Sequence, residues 1–213
     1  MARLPPHPLA GLGVLLLALC LSANAMAIEE PTFTTTLTDG DFSLRTYAPM
    51  VIAETEVDGS LSDASSVGFR RIAGYIFGKN RAKEAGSQTI AMTAPVAATP
   101  TKIDMTAPVG ATAIGGGQRF RIHFVMPSRY TLATLPTPLD PSVTLRAVPS
   151  MRTAVVRFSG FTGESRVDEE TKRLRAWLAQ RHLREVGAPT LARYNPPWTL
   201  PFLRRNEIIV PVE

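Results

Sequence analysis

Residues 89–109 read T-I-A-M-T-A-P-V at 89–96, A-A-T-P-T at 97–101 and K-I-D-M-T-A-P-V at 102–109, so one phrase is written twice, thirteen residues apart. Each copy begins like a strand, with Ile, Met and Thr, and stops at Pro95 or Pro108, where a backbone donor is lost. The spacer is turn material. The reading is two extended segments joined by a turn, carrying small side chains and the methionines Met92 and Met105.

Outward from this stretch, elements of similar kind recur on both sides. Phe42–Tyr47 and Met50–Val57 alternate as strands, with Val51, Ala53, Thr55 and Val57 on one face. Asp58-Gly59-Ser60 is a turn, and Ser60 or Ser62 caps a helix running to Gly78. Its inward stripe is Phe69, Ile72, Ala73 and Ile76; Gly68 and Gly74 imply close packing on a sheet. Arg119–Met126 alternates, with Phe120, Ile122, Phe124 and Met126 on one face and Arg119, Arg121 and His123 on the other. After a proline-rich loop, Val143–Val148 and Arg152–Phe158 are strands, and a turn at Gly160 leads into a long helix. Ser165 and Asp168 have the spacing of a capping box for that helix, and Val167, Thr171, Leu174 and Leu178 form its stripe, with Trp177 beside it. Leu191–Tyr194 and Glu207–Val212 close the chain as strands.

Strand, strand, helix and two extended segments therefore occur twice. The expected fold is α+β: a distorted antiparallel β-barrel of about eight strands with two flanking helices. It is built from two pseudo-symmetric halves, at about 40–127 and 142–213.

Arg3 followed by the apolar run Leu9–Leu21 and the small-x-small steps at Ala23–Ala25 and Ala25–Ala27 reads as a secretory signal peptide over 1–27. The run is short for a membrane span. The one cysteine, Cys20, lies inside it, so the processed chain carries no thiol and no disulfide. Residues 28–213 form one domain of a periplasmic or secreted protein. The net charge of +5 and pI near 9.8 favour anionic ligands, while export argues against nucleic acid.

The chain resembles the SOUL heme-binding protein family. The resemblance rests on F-S-L-R-T-Y-A-P (42–49), G-F-R-R-I-A-G-Y-I-F-G-K-N (68–80), the doubled M-T-A-P-V, F-V-M-P-S-R-Y (124–130), V-V-R-F-S-G (155–160), Y-N-P-P-W (194–198) and R-R-N-E-I-I-V-P-V (204–212). It implies an eight-stranded distorted barrel with two helices, an architecture shared with ligand-sensing domains of some bacterial transcription regulators. It also implies non-covalent binding of heme or a related tetrapyrrole, without catalysis. The alternative is a binding module for another apolar or anionic small molecule, or a structural envelope protein.

Several residues are candidates for holding such a ligand. His123 and His182 can offer a neutral imidazole to iron; against this stand a solvent-facing strand histidine and a partly buried residue at the end of the second helix stripe. Arg70 and Arg71 can match propionates. Tyr75 and Trp198 can stack on a flat ring. Met92 and Met105 can supply a thioether or a pliable apolar wall. Asp104 is either an acid or a turn-facing carboxylate, and Asn206 and Glu207 are expected to tie down the Ala-Pro turns. No C-x-x-C-H, G-x-S-x-G or metal-ligand spacing is present, and neither a catalytic residue nor a metal site is assigned.

Overall fold

The computed structural model describes residues 29–83, 103–115 and 118–213; the first M-T-A-P-V copy with Met92, and the 1–27 segment, lie outside them. The strands are β1 (Phe33–Asp39), β2 (Phe42–Tyr47), β3 (Met50–Asp58), β4 (Asn80–Arg81), β5 (Val109–Ile114), β6 (Arg119–Val125), β7 (Thr137–Pro138), β8 (Thr144–Val148), β9 (Met151–Phe158), β10 (Thr190–Arg193) and β11 (Asn206–Pro211). The helices are α1 (Leu61–Ile76) and α2 (Glu164–Gln180).

Nine strands form one antiparallel sheet in the order β1-β2-β9-β11-β10-β5-β6-β3-β8, and β4 and β7 make a small ribbon. Without β1, the order reads the same from either end once β2 is exchanged with β8, β3 with β9, β5 with β10 and β6 with β11. The axis of that exchange lies between β5 and β10, which pair across Ala111 and Leu191. Each half thus lends its first strand to the other: β2 pairs with β9, and β8 with β3. The halves are pseudo-symmetric and interlocked.

The sheet curls into a half-barrel. Tyr47 of β2 and Val148 of β8, almost a full sheet apart in strand order, line one cavity with His123 and Ile209 between them. Both helices cover the convex face. There α1 packs on β3 and β6, burying Ala64, Ile72 and Ile76 against Ala53, Ile122 and Phe124. Gly68 permits this approach: a Cβ there would stand 2.5 Å from Ile122 Cγ1. Across the axis, α2 buries Leu174, Trp177 and Leu178 against Ala154, Val156 and Ile208.

Four expectations change. Phe33–Asp39 is an additional edge strand, unexpected because its Thr-rich run is almost wholly exposed and lacks an apolar face. Ser60 caps α1, its hydroxyl accepting the Asp63 N–H, but α2 has no capping box. Its N-cap is Gly163, so Ser165 already lies inside the first turn. Phe69 does not turn inward with its stripe; it is 41% exposed and tilts against Phe124 at 5.5 Å between ring centroids. Finally, Pro108 does not end a strand but precedes one, since β5 starts at Val109.

Candidate functional site

The convex face carries a cleft that neither helix fills. Its floor is Val109 and Ala111 of β5 with Ile122 of β6. One wall is α1, through Ser65, Phe69 and Arg70; the other is formed by Thr162 and by Asn195, Pro197 and Arg204 from the loop after β10. The volume is about 430 Å³. The floor is apolar because β5 and β6 present alternate small and aliphatic side chains to the helix side.

The charge in this cleft is unusual for a folded protein. Arg193, on β10, is half-buried at its edge. Its Nη2 donates to Ser65 Oγ at 2.6 Å, its Nε is buried with no hydrogen-bond partner among the described residues, and burial pulls its pKa down. Among the described residues Arg204 donates to the loop carbonyls of Thr199 (2.8 Å) and Pro197 (2.6 Å). No carboxylate pairs with Arg70, Arg193 or Arg204 among the described residues. A group of desolvated or free guanidinium ions over an apolar floor is a place for an anion with an apolar body.

The concave face is the reverse. Glu207 on β11, fully buried, takes a bidentate pair from Arg45 (2.9 and 3.2 Å), a bond from Arg205 (3.0 Å) and another from the Tyr194 hydroxyl (2.7 Å). Burial, with Glu207 beside it, pushes the Tyr194 phenol far above its usual range. Glu54 is held by Arg146 through two bonds of 3.0 Å. His123 sits beside them on the same face, over Gly110, in a cavity of about 200 Å³. Burial is the main cause that lowers its pKa to about 4, so its imidazole is neutral at ordinary pH. Alternation placed His123 on the Arg121 face, as observed; the curl of the sheet makes that face the wall of a cavity, and His123 is half-buried in it.

The other sequence candidates scatter. Arg70 lines the cleft and Trp198 stands beside it, 83% exposed, next to Pro197. Arg71 turns away, donating to Thr55 Oγ1 (3.3 Å) and the Glu56 carbonyl (3.1 Å). Tyr75 is core: fully buried, its hydroxyl donates to the Pro136 carbonyl at 3.0 Å, and it offers no ring face to a ligand. His182 does not share the α2 stripe, because the helix ends at Gln180 and His182 follows in the left-handed region at φ 54°, exposed. Met105 is partly exposed and lines none of the cavities described. Asp104 makes a surface pair with Arg129 at 2.7 Å. Asn206 and Glu207 do not tie down the Ala-Pro turn at 107–108: Asn206 donates to the Gly160 carbonyl, and Glu207 holds β2 to β11. Arg193 escaped sequence reading, although its signal was present: one cation ending the apolar strand T-L-A-R with no acid nearby in sequence.

An anionic tetrapyrrole fits the cleft in part. The floor suits the ring, and the guanidinium groups, which have no carboxylate partner among the described residues, suit its carboxylates. The cleft supplies no histidine, and no cluster of His, Cys, Asp or Glu able to hold a metal occurs among the described residues.

Comparison with solved structures places the fold in known company. The crystal structure of the EcmrR C-terminal domain aligns at TM-score 0.58 and 10% identity, covering 81% of this chain and 96% of that one. A hydrolase from Listeria innocua aligns at TM-score 0.53 and 10% identity, covering 84% and 94%. The EcmrR–DNA complex aligns at 0.57 and 11%, covering 81% of this chain and 57% of its own. At such identities the likeness concerns the fold. No curated protein matches the chain at a significant level. The model of the family described as SOUL heme-binding protein matches residues 28–211. The chain therefore belongs to the SOUL heme-binding protein family, and non-covalent tetrapyrrole binding without catalysis is the function that membership carries.

Proposed function

We propose that this protein is an exported, single-domain carrier that holds heme or a related tetrapyrrole in the cleft between α1 and the loop after β10. The observation that carries the assignment to this cleft is the set of arginines there, Arg70, Arg193 and Arg204, with no carboxylate partner among the described residues. Van der Waals contact with Phe69, Val109, Ala111 and Ile122 holds the ring. The arginines hold its carboxylates, and Trp198 offers an aromatic face at the rim. Bound heme would bring its own iron chemistry; the residues of this cleft bind and orient but supply no iron ligand. The concave cavity beside His123, about 200 Å³, shares Pro31, Met50, Val125 and Val148 with a second cavity of about 580 Å³, and the arginines that line it, Arg121 and Arg146, are both paired with Glu54.

Export is supported by the apolar run Leu9–Leu21 and the small-x-small steps that follow it. The single-domain reading of 28–213 is supported by the interlocked halves.

The test is a titration with hemin and, separately, with iron-free protoporphyrin. Binding through ring and carboxylates predicts saturable binding of both at similar affinity. Binding of hemin alone would place an iron ligand at the centre of recognition and remove this cleft from it.

A further inference from the structure

Beside the cleft lies an apolar surface that tetrapyrrole binding accounts for only at Trp198. Phe161, Trp198, Leu200, Phe202 and Leu203 are all exposed, Phe161 and Phe202 at 69%. They belong to one patch. The Gly160 N–H donates to the Pro201 carbonyl at 2.9 Å, the Asn206 amide donates to the Gly160 carbonyl at 3.1 Å, and the Arg204 guanidinium lies 5.4 Å from the Phe161 ring centroid. The loop that carries Trp198 is already ordered: Pro196 and Pro197 precede it, the Thr199 N–H donates to the Pro196 carbonyl, and Arg204 grips the carbonyls of Pro197 and Thr199. Little conformational entropy remains to be lost when these rings enter an apolar medium.

We propose that this patch docks the protein onto the surface of an anionic lipid bilayer. Three features select that partner. The apolar groups, three aromatic rings and two leucines, stand exposed on turns and on the short 3-10 helix Pro201–Leu203, which suits insertion among acyl chains and headgroups, where no matching shape is required. Arg204 stands among them, with Arg193 and Arg70 behind, none paired to a carboxylate among the described residues, so the patch is positive where phosphates would meet it. The acids on the same side are engaged at the start of α1: Glu164 accepts the Leu61 N–H, and Asp63 bonds Ser60. No described helix is long and apolar enough to cross a membrane, so the mode is peripheral. The cleft opens beside the patch, which places its mouth at the lipid surface. The patch shares Trp198 and its arginines with the cleft, so docking is read on the protein without tetrapyrrole.

The chain carries its own reporter. Of its two tryptophans, Trp177 is buried, stacked on Phe42 at 5.3 Å with its Nε1 donating to Asp39, while Trp198 is exposed. Residues 28–213, the processed chain without tetrapyrrole, are mixed with phosphatidylcholine vesicles with and without phosphatidylglycerol, and the emission of Trp198 is followed. Docking predicts a blue shift and quenching by acyl-brominated lipid on the phosphatidylglycerol vesicles, weakened by salt and abolished by Trp198→Phe. The double variant Phe161→Ser/Phe202→Ser loses at least about tenfold in this response, from the apolar area removed. The proposal is overturned if Trp198 emission does not move, if pure phosphatidylcholine gives an equal response, or if the shift instead follows protein concentration without vesicles, which would mark a protein–protein surface.

Discussion

The two faces of the sheet use arginine in opposite ways. On the concave face Arg45 and Arg205 converge on Glu207, and Arg146 and Arg121 on Glu54. On the convex face Arg193, Arg204 and Arg70 surround an apolar cleft with no such partner among the described residues. Residue type alone does not separate the two groups, nor does position on a strand. Pairing does. A buried guanidinium whose carboxylate comes from another strand fixes the architecture. One desolvated without a carboxylate leaves an interaction to be completed from outside.

The contrast can be broken at several points. Glu207→Ala strands Arg45 and Arg205 against buried surface; it is expected to cost about 3–5 kcal/mol in urea unfolding. A loss under 1 kcal/mol, on the scale of an exposed pair, would mean that the network is ornamental.

Next comes His123. Its folded pKa of about 4 lies below the usual 6.5, so the unfolded chain binds more protons between these values. The neutral imidazole's contribution is complete above about 6.5 and is lost as pH falls toward 4, on the order of 3 kcal/mol in all. His123→Gln should flatten the stability profile in that window while leaving hemin affinity unchanged. A profile identical to that of the unaltered protein would show the ring to be solvated.

Gly68→Val drives a side chain into Ile122, and the expected loss is about 1–3 kcal/mol by thermal or urea unfolding, with weaker hemin binding as α1 shifts off the cleft floor.

The smallest stability effect is the most informative. Arg193→Met removes a charge that burial already disfavours, so stability should hold or rise while hemin affinity falls about tenfold, the worth of one charge-assisted bond. Destabilisation would assign Arg193 to the scaffold, with the Ser65 bond as its purpose.

Much of the fold was legible in the sequence because its signals are local. Period-two alternation marked β2, β3, β6 and β11, short strand-like runs marked β8 and β9, and Ser60 marked the start of α1. What failed locally was weak in pattern: the exposed threonines of β1, the small residues of β5 after Pro108, and a glycine cap standing in for Ser165 on α2. The site was less legible. Arg70 was named and lines the cleft, and Trp198 was named and stands beside it, but the cleft exists only because the interlocked halves bring the loop after β10 beside α1. Histidine drew attention as an iron ligand. No sequence pattern distinguishes an imidazole facing the cleft under α1 from one lining the concave cavity on the other side of the sheet, and His123 is of the second kind. Tyr75 shows the same limit, since its hydroxyl partner, the Pro136 carbonyl, lies 61 residues away.

The account stands on unpaired arginines, rather than histidines, receiving the ligand. The direct measurement is a hemin titration, followed in the Soret band, of the double variant Arg70→Gln/Arg193→Met alongside His123→Gln. The double variant should bind about a hundredfold more weakly with an unchanged melting temperature, two charge-assisted contacts being lost, and His123→Gln should bind as the unaltered protein does. Unchanged affinity in the double variant, or loss confined to His123→Gln, would contradict the account and move the site to the concave face.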